Sequence, residues 1–120
     1  MPRMLVEGAP QKQSTTPAQT TIGAAAVLIA ESNAKRKGFI IQNTGTSIIK
    51  VNLGPVDPTQ TVYHVALKGG TAADDGLGAA YFDDAWTGQI RAISSAAGGT
   101  FVLTEFASGG PDWNASEDLY

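Results

Sequence analysis

The single histidine, His64, is the first residue whose type could do chemistry in this sequence. It lies in the apolar run 61–67 (TVYHVAL), and the chain has no cysteine. A catalytic triad built on His64 would need a distant serine and aspartate, and the sequence has no nucleophile-elbow motif to supply one. We therefore expect a packed or hydrated strand histidine and no enzyme activity.

Two pairs of adjacent carboxylates, Asp74-Asp75 and Asp83-Asp84, offer the oxygen ligands that calcium takes. Calcium needs about six to eight such oxygens, and adjacent residues on a strand point to opposite faces. The EF-hand spacing is absent. We predict that these aspartates solvate turns and strand ends, and that the chain holds no metal and no cofactor.

Charge and hydropathy exclude two classes of partner. The net charge is −3, and the one basic cluster, residues 35–37 (KRK), is expected to be a solvated loop. A phosphate-reading surface needs more clustered cations, so no nucleic-acid partner is predicted. The longest apolar stretch, residues 22–30, is nine residues long, whereas a membrane span needs about twenty. No membrane partner is predicted.

The elements that must position these residues are short strands. Apolar runs alternate with turns rich in glycine, asparagine and aspartate, and charged residues make up only 16% of the chain. The fold class predicted is all-β, an antiparallel β-sandwich with a jelly-roll or a Greek-key-like strand order. A partly helical segment at 24–37 is the weaker alternative. The predicted strands are residues 22–30, 38–43, 47–53, 61–67, 77–82, 88–94 and 100–106.

Residues 38–54 (GFIIQNTGTSIIKVNLG) are predicted to form a hairpin. Its corner is residues 43–46, where Gly45 can adopt a positive φ and the Asn43 side chain can bond its own backbone. Neither residue needs a catalytic role to explain its presence.

Composition divides the chain into three parts: an extended N-terminal arm at residues 1–19, the β-sandwich at 20–106, and a short acidic C-terminal tail at 107–120. The arm can span about 60 Å when extended, enough to reach a neighbouring subunit and add a strand to its sheet edge. The arm has a short apolar end, and the tail has aromatic residues in polar surroundings. The candidate partner-binding residues are Arg3, Met4, Leu5, Val6, Trp113 and Tyr120.

Four segments resemble small β-sandwich virion proteins of tailed bacteriophages. In those proteins a strand that begins with R-x-G is followed by a turn with the pattern Q-N-x-G. A later strand has the pattern W-x-G-x-I-x-A-I, and the closing strand ends in Glu. The segments that carry the resemblance are residues 36–45 (RKGFIIQNTG), 51–54 (VNLG), 86–93 (WTGQIRAI) and 101–105 (FVLTE).

The resemblance implies a structural protein of the virion, on the outer surface of a capsid assembled in the host cytoplasm. We expect a capsid decoration (cement) protein that binds and stabilises the shell of the major capsid protein and associates with itself as a dimer or trimer. The alternative is a head-fibre or tail component that recognises a host-surface receptor through exposed aromatic residues such as Tyr63, Tyr81 or Trp113.

Overall fold

The protein is described by a computed structural model that covers residues 13–107, and within that range every regular element is a β-strand. The nine strands are β1 (Gln13–Ser14), β2 (Gln19–Ile22), β3 (Val27–Ala30), β4 (Arg36–Asn43), β5 (Ile49–Leu53), β6 (Val65–Leu67), β7 (Ala80–Asp83), β8 (Ile90–Ser94) and β9 (Gly99–Ala107).

The strands form two antiparallel sheets. In sheet A the order is β2, β9, β4, β7, with β1 paired to the far end of β9 on the same side as β2. In sheet B the order is β3, β8, β5, β6. The pairs nest, β2 with β9, β3 with β8, β4 with β7 and β5 with β6, as in a long hairpin rolled into two layers. This order is a jelly roll, and the predicted antiparallel β-sandwich is confirmed.

Alternation along the strands builds the core between the sheets. Phe39 and Ile41 point inward from β4, and Ile49 and Val51 point inward from β5; all four are fully buried. On β9 the inward side chains begin at Phe101, which is 1% exposed. The predicted strands at 47–53 and 100–106 thus each bury one face in the core.

The predicted hairpin at 38–54 is wrong. β4 lies in sheet A and β5 in sheet B, so residues 44–48 cross between the sheets instead of reversing within one. Asn43 does bond its own backbone, because Oδ1 accepts the Gly45 N–H at 2.9 Å and Nδ2 donates to the Ser47 carbonyl. Gly45 does not have a positive φ. It is needed for space, since an added Cβ would lie 2.9 Å from Thr100 Oγ1.

The predicted strand at 22–30 is in fact the end of β2 and all of β3, which lie in different sheets. The chain crosses between them over Gly23 and three alanines, and the weaker helical alternative for 24–37 is also wrong. The part of the predicted arm that the structure describes, residues 13–19, runs extended beside β9, where Gln13 is paired with Ala107.

The loop at residues 54–64 covers the outer face of sheet B. Lys50 on β5 donates to the Gln60 carbonyl at 2.6 Å, and the Gln60 side chain donates to the Ser94 carbonyl at 2.8 Å. Pro58 of this loop is fully buried, and Ile93, which pairs with Lys50 on the outward side of β8, is only 6% exposed. Sheet B therefore buries both of its faces.

Candidate functional site

The basic cluster at 35–37 is not a uniformly solvated loop, because Arg36 is buried with 2% exposure while Lys35 and Lys37 are exposed. Arg36 Nε donates to Glu105 Oε1 at 2.8 Å. Its two terminal nitrogens donate to backbone carbonyls of residues 31, 86 and 88. A buried guanidinium must be paired and hydrogen-bonded to be tolerated, and here each of its nitrogens has a partner.

Three of the segments that resemble virion proteins meet at this arginine. Arg36 comes from the first, Trp86 and Gly88 from the W-x-G strand, and Glu105 from the closing strand. Trp86 is partly buried, packs on the core and donates its indole N–H to the Gln89 carbonyl. The contacts of these residues hold this end of the sandwich together.

One aspartate of each pair, Asp75 and Asp83, bonds its own turn as predicted, whereas the Asp74 carboxylate accepts the Gln19 side chain of β2. Backbone N–H groups of Leu77 and Ala72, together with the Thr71 hydroxyl, bond the Asp75 carboxylate and lower its pKa to about 2. The Asp83 carboxylate accepts the backbone N–H groups of Ala85 and Trp86, and these bonds lower its pKa.

The hydroxyl of Tyr81 donates to Asp83 at 2.8 Å, and this bond raises the pKa of Tyr81. Tyr81 is half-buried and packs against the core, so it does not offer the exposed aromatic ring that a receptor-binding role requires. Over residues 13–107 no group of three or more potential metal ligands is found.

His64 bridges the loop at 54–64 to β5. Its Nδ1 accepts the Leu53 N–H at 3.0 Å, and its own N–H is shared by the Val51 carbonyl and Asn52 Oδ1. The side chain is exposed, but His64 lies in the loop before β6, because only Val65–Leu67 of the predicted strand at 61–67 is a strand. These contacts give the histidine a structural task at the loop end.

An open groove of about 550 Å³ lies where the two sheets part at the edges formed by β2 and β3. Its deep side is the core itself, through Ile22 and Phe101, and Val27 and Leu28 on β3 are 38% and 36% exposed. Threonines of the β1–β2 segment form much of the opposite wall. The residues that line the groove are Thr15, Thr16, Ala18, Thr20, Thr21, Ile22, Gly23, Val27, Leu28, Ile29, Phe101, Leu103 and Glu105.

Both walls of this groove are sheet edges. Among the strands of residues 13–107, β2 pairs only with β9 and β3 pairs only with β8. Each edge therefore offers backbone N–H and C=O groups to an added strand. An extended segment that paired with either edge could place its apolar side chains in the groove.

The two ends of the described chain lie at one place, since Gln13 and Ala107 are paired across β1 and β9. Arg36 is also paired with Ala107, so its network lies at this end of the sandwich. The six candidate partner-binding residues all lie outside the described residues. They are Arg3, Met4, Leu5, Val6, Trp113 and Tyr120.

Sequence reasoning did not find the groove, because it treated residues 22–30 as one strand. The signal for the break is the run Gly23-Ala24-Ala25-Ala26, whose small side chains contribute little to a core. Nor did sequence reasoning assign Arg36 to the interior, since its two lysine neighbours gave the segment the composition of a wet loop.

The comparisons with known proteins add little to this geometry. No family model matches the chain, and no curated protein matches it. One similar solved structure is described as "Bacillus endospore appendages form a novel family of disulfide-linked pili". The two chains are 16% identical with a TM-score of 0.49, over 90% of this chain and 97% of the other. A similarity this distant carries no argument about function.

The strand order defines the class of this protein as a jelly-roll β-sandwich. Many unrelated functions use this fold, so the function must be argued from the surfaces of the molecule. Within residues 13–107 there is no helix with the length and apolar character needed to cross a membrane.

Proposed function

We propose that this chain is a bacteriophage capsid decoration protein, a non-enzymatic β-sandwich that binds the shell of the major capsid protein and associates with itself. The proposal joins the sequence resemblance to one structural observation, the open apolar groove between two unpaired sheet edges. A groove of this form suits an extended segment of a neighbouring subunit better than it suits a small polar substrate.

The proposed attachment uses the arm as a strand. Residues 1–12 lie outside the described structure and can span about 40 Å when extended. Docked on the β2 or β3 edge of a neighbouring copy, the segment would gain backbone hydrogen bonds and bury its apolar residues Met4, Leu5 and Val6 in the groove. Many copies linked in this way would stabilise a shell even where each contact is weak.

Deletion of residues 1–12 tests the attachment. Residues 13–22 must be kept, because they pair with β9 and belong to the sandwich. The truncated protein is expected to fold normally and to lose most of its occupancy on purified heads, as measured by densitometry against the shell protein. Substitution of Met4, Leu5 and Val6 by serine is the matched control for loss of apolar burial. Unchanged occupancy in both variants would reject the arm as the attachment.

A second candidate, a receptor-recognition module of a head fibre or tail, is favoured by the surface of the 54–64 loop. Val56, Val62 and Tyr63 on this loop are 69%, 67% and 40% exposed. The Lys50 ammonium lies 5.4 Å from the centre of the Tyr63 ring and holds it in place.

The Tyr63→Ala variant separates the two candidates. A decoration protein should keep full shell occupancy and host adsorption in this variant. A recognition module should lose adsorption while its incorporation into the particle is unchanged, and that result would replace the first proposal by the second.

A further inference from the structure

The two outer faces of the sandwich differ. The loop at 54–64 covers the outer face of sheet B, where it buries Pro58 and Ile93. On the outer face of sheet A, the loop at residues 68–79 reaches the outward Gln42 side chain of β4, which donates to the Gly76 and Gly78 carbonyls. Phe82 on β7 points outward there and is 56% exposed, next to Ile40 on β4 in the strand register.

The outer face of sheet A carries no charge, and it mixes apolar with polar side chains. Ile40 on β4 lies between Phe82 and Thr104, and Val102 and Phe106 also point outward from β9. Gln42 and Thr100, at other outward positions of β4 and β9, are polar. Apart from Lys37 in the bulge, no outward position of β4, β7 or β9 carries a charged side chain. The whole chain has 8 Lys and Arg residues and 11 Asp and Glu residues. Depletion of charge around aromatic residues is typical of the centre of a protein interface.

Charges do occur at the two ends of this face, and their signs are opposite. Lys37, the extra residue of the bulge, is exposed at the start of β4, where Gly38 is paired with Phe106. Asp74 lies beyond the other end of β4, where its N–H donates to the Thr44 carbonyl and its carboxylate accepts the Gln19 side chain at 2.6 Å.

We propose that the outer face of sheet A packs against the same face of a second copy of this chain, with the strands of the two copies antiparallel. Two identical faces can meet about a twofold axis that lies in the interface, and a charge-free centre makes this possible without like-charge repulsion. The antiparallel arrangement places Lys37 of each copy over Asp74 of the other. The parallel arrangement would place each charge over its own kind.

The size of the face sets the strength of this contact. β4 and β9 have 8 and 9 residues, and β2 and β7 have 4 each. At about 3.3 Å per residue and about 4.8 Å between strands they present about 400 Å² per copy, so a pair buries about 800 Å². This is the size of a weak, transient contact. The dimer is therefore expected to dissociate on dilution within a measurable range.

The inference deepens the self-association named in the proposed function, and its test uses the isolated full chain without particles. Sedimentation equilibrium of the wild-type protein should show a reversible monomer–dimer transition. The Phe82→Glu variant should weaken dimerisation at least tenfold, because it puts a charge in the centre of the charge-free face twice per dimer. The matched control is Val62→Glu, the same kind of change at an exposed apolar residue over sheet B, and it should leave the transition unchanged.

A charge-reversal pair tests the orientation. Lys37→Glu creates two like-charge contacts per dimer in the antiparallel arrangement, and we expect it to weaken dimerisation about tenfold at low salt. Adding Asp74→Asn removes the repulsion and should recover most of the loss. Asparagine is chosen because Asp74 has a φ of 60°, which asparagine also tolerates.

Three results would overturn the inference. One is a protein that stays monomeric at all concentrations. If Phe82→Glu also abolishes shell binding of this monomer, the face binds the capsid instead of a second copy. Another is a dimer that Phe82→Glu leaves intact. The third is a loss caused by Lys37→Glu that Asp74→Asn does not recover, which would exclude the antiparallel arrangement. A monomeric full chain would also count against docking of the arm on a neighbouring copy in solution. Loss of head occupancy on deletion of residues 1–12 would still support attachment to the shell, so the two failures are distinguishable.

Discussion

At the scale of single residues, three consecutive cations have different environments. Arg36 is enclosed by one carboxylate and three backbone carbonyls, whereas Lys35 and Lys37 are exposed. The difference follows from strand alternation, since β4 begins at Arg36 and this position faces the interior at the end of the core. Arginine suits such a position because its planar fork can reach several acceptors at once.

Replacing Arg36 should therefore be costly. Arg36→Met removes four hydrogen bonds and leaves the Glu105 carboxylate without its cation. We expect the free energy of unfolding to fall by about 3 kcal/mol, measured by urea denaturation. Lys35→Met, the same change at the exposed neighbour, should have an effect below about 0.5 kcal/mol. Equal effects of the two changes would contradict the assignment of Arg36 to the interior.

The Asp75 carboxylate should make stability depend on pH at the acid end. Its pKa in the folded protein is about 2, below the ordinary value of 3.8, so its contribution is present above about pH 4 and is lost as the pH falls through about 2. The stability difference between wild type and Asp75→Asn should be largest near neutral pH and should shrink between pH 4 and pH 2. A difference that is constant over this range would contradict the lowered pKa.

At the scale of elements, sequence predicted most of the strands but not the sheets to which they belong. The predicted strands at 47–53 and 100–106 match β5 and β9, each of which has one face buried in the core. The sequence signals of the corner at Asn43 are the same for a chain that reverses within one sheet and for a chain that crosses between two sheets. Partner choice is a non-local property, since β4 pairs with β7 and β9, which come much later in the chain.

The candidate site could be predicted only in part, for the same reason. An extended arm at residues 1–19 was predicted from composition, whereas the groove depends on β2 and β3 being edges of opposite sheets. The Arg36–Glu105 ion pair joins residues 69 positions apart, and no local sequence pattern shows that the two side chains meet. The turn roles of Asp75 and Asp83 were predictable because each aspartate bonds N–H groups within a few residues of itself.

The crossing from β4 toward sheet B depends on a close backbone approach at Gly78. A Cβ added to Gly78 would lie 1.9 Å from the Asn43 carbonyl oxygen, and backbone cannot yield cheaply. Gly78→Ala should reduce the free energy of unfolding by about 3 kcal/mol in thermal or urea unfolding. Gly23→Ala is the matched control, because a Cβ there has no atom within 4 Å. It should be nearly neutral, and a neutral Gly78→Ala would contradict the packing of this crossing.

At the scale of the whole molecule, the surfaces of the sandwich differ in how they are covered. The loop at 54–64 closes the outer face of sheet B, the groove at β2 and β3 opens the side of the core, and the two ends of the described chain, Gln13 and Ala107, are paired with each other. The described chain therefore begins and ends at the same end of the sandwich.

The most direct test of the account is the number and position of copies on purified virions, determined by densitometry against the major capsid protein and by cryo-electron microscopy. The account predicts hundreds of copies, in regular positions on the outer shell. A small number confined to the tail or to a single vertex, or absence from the particle, would contradict the proposed function.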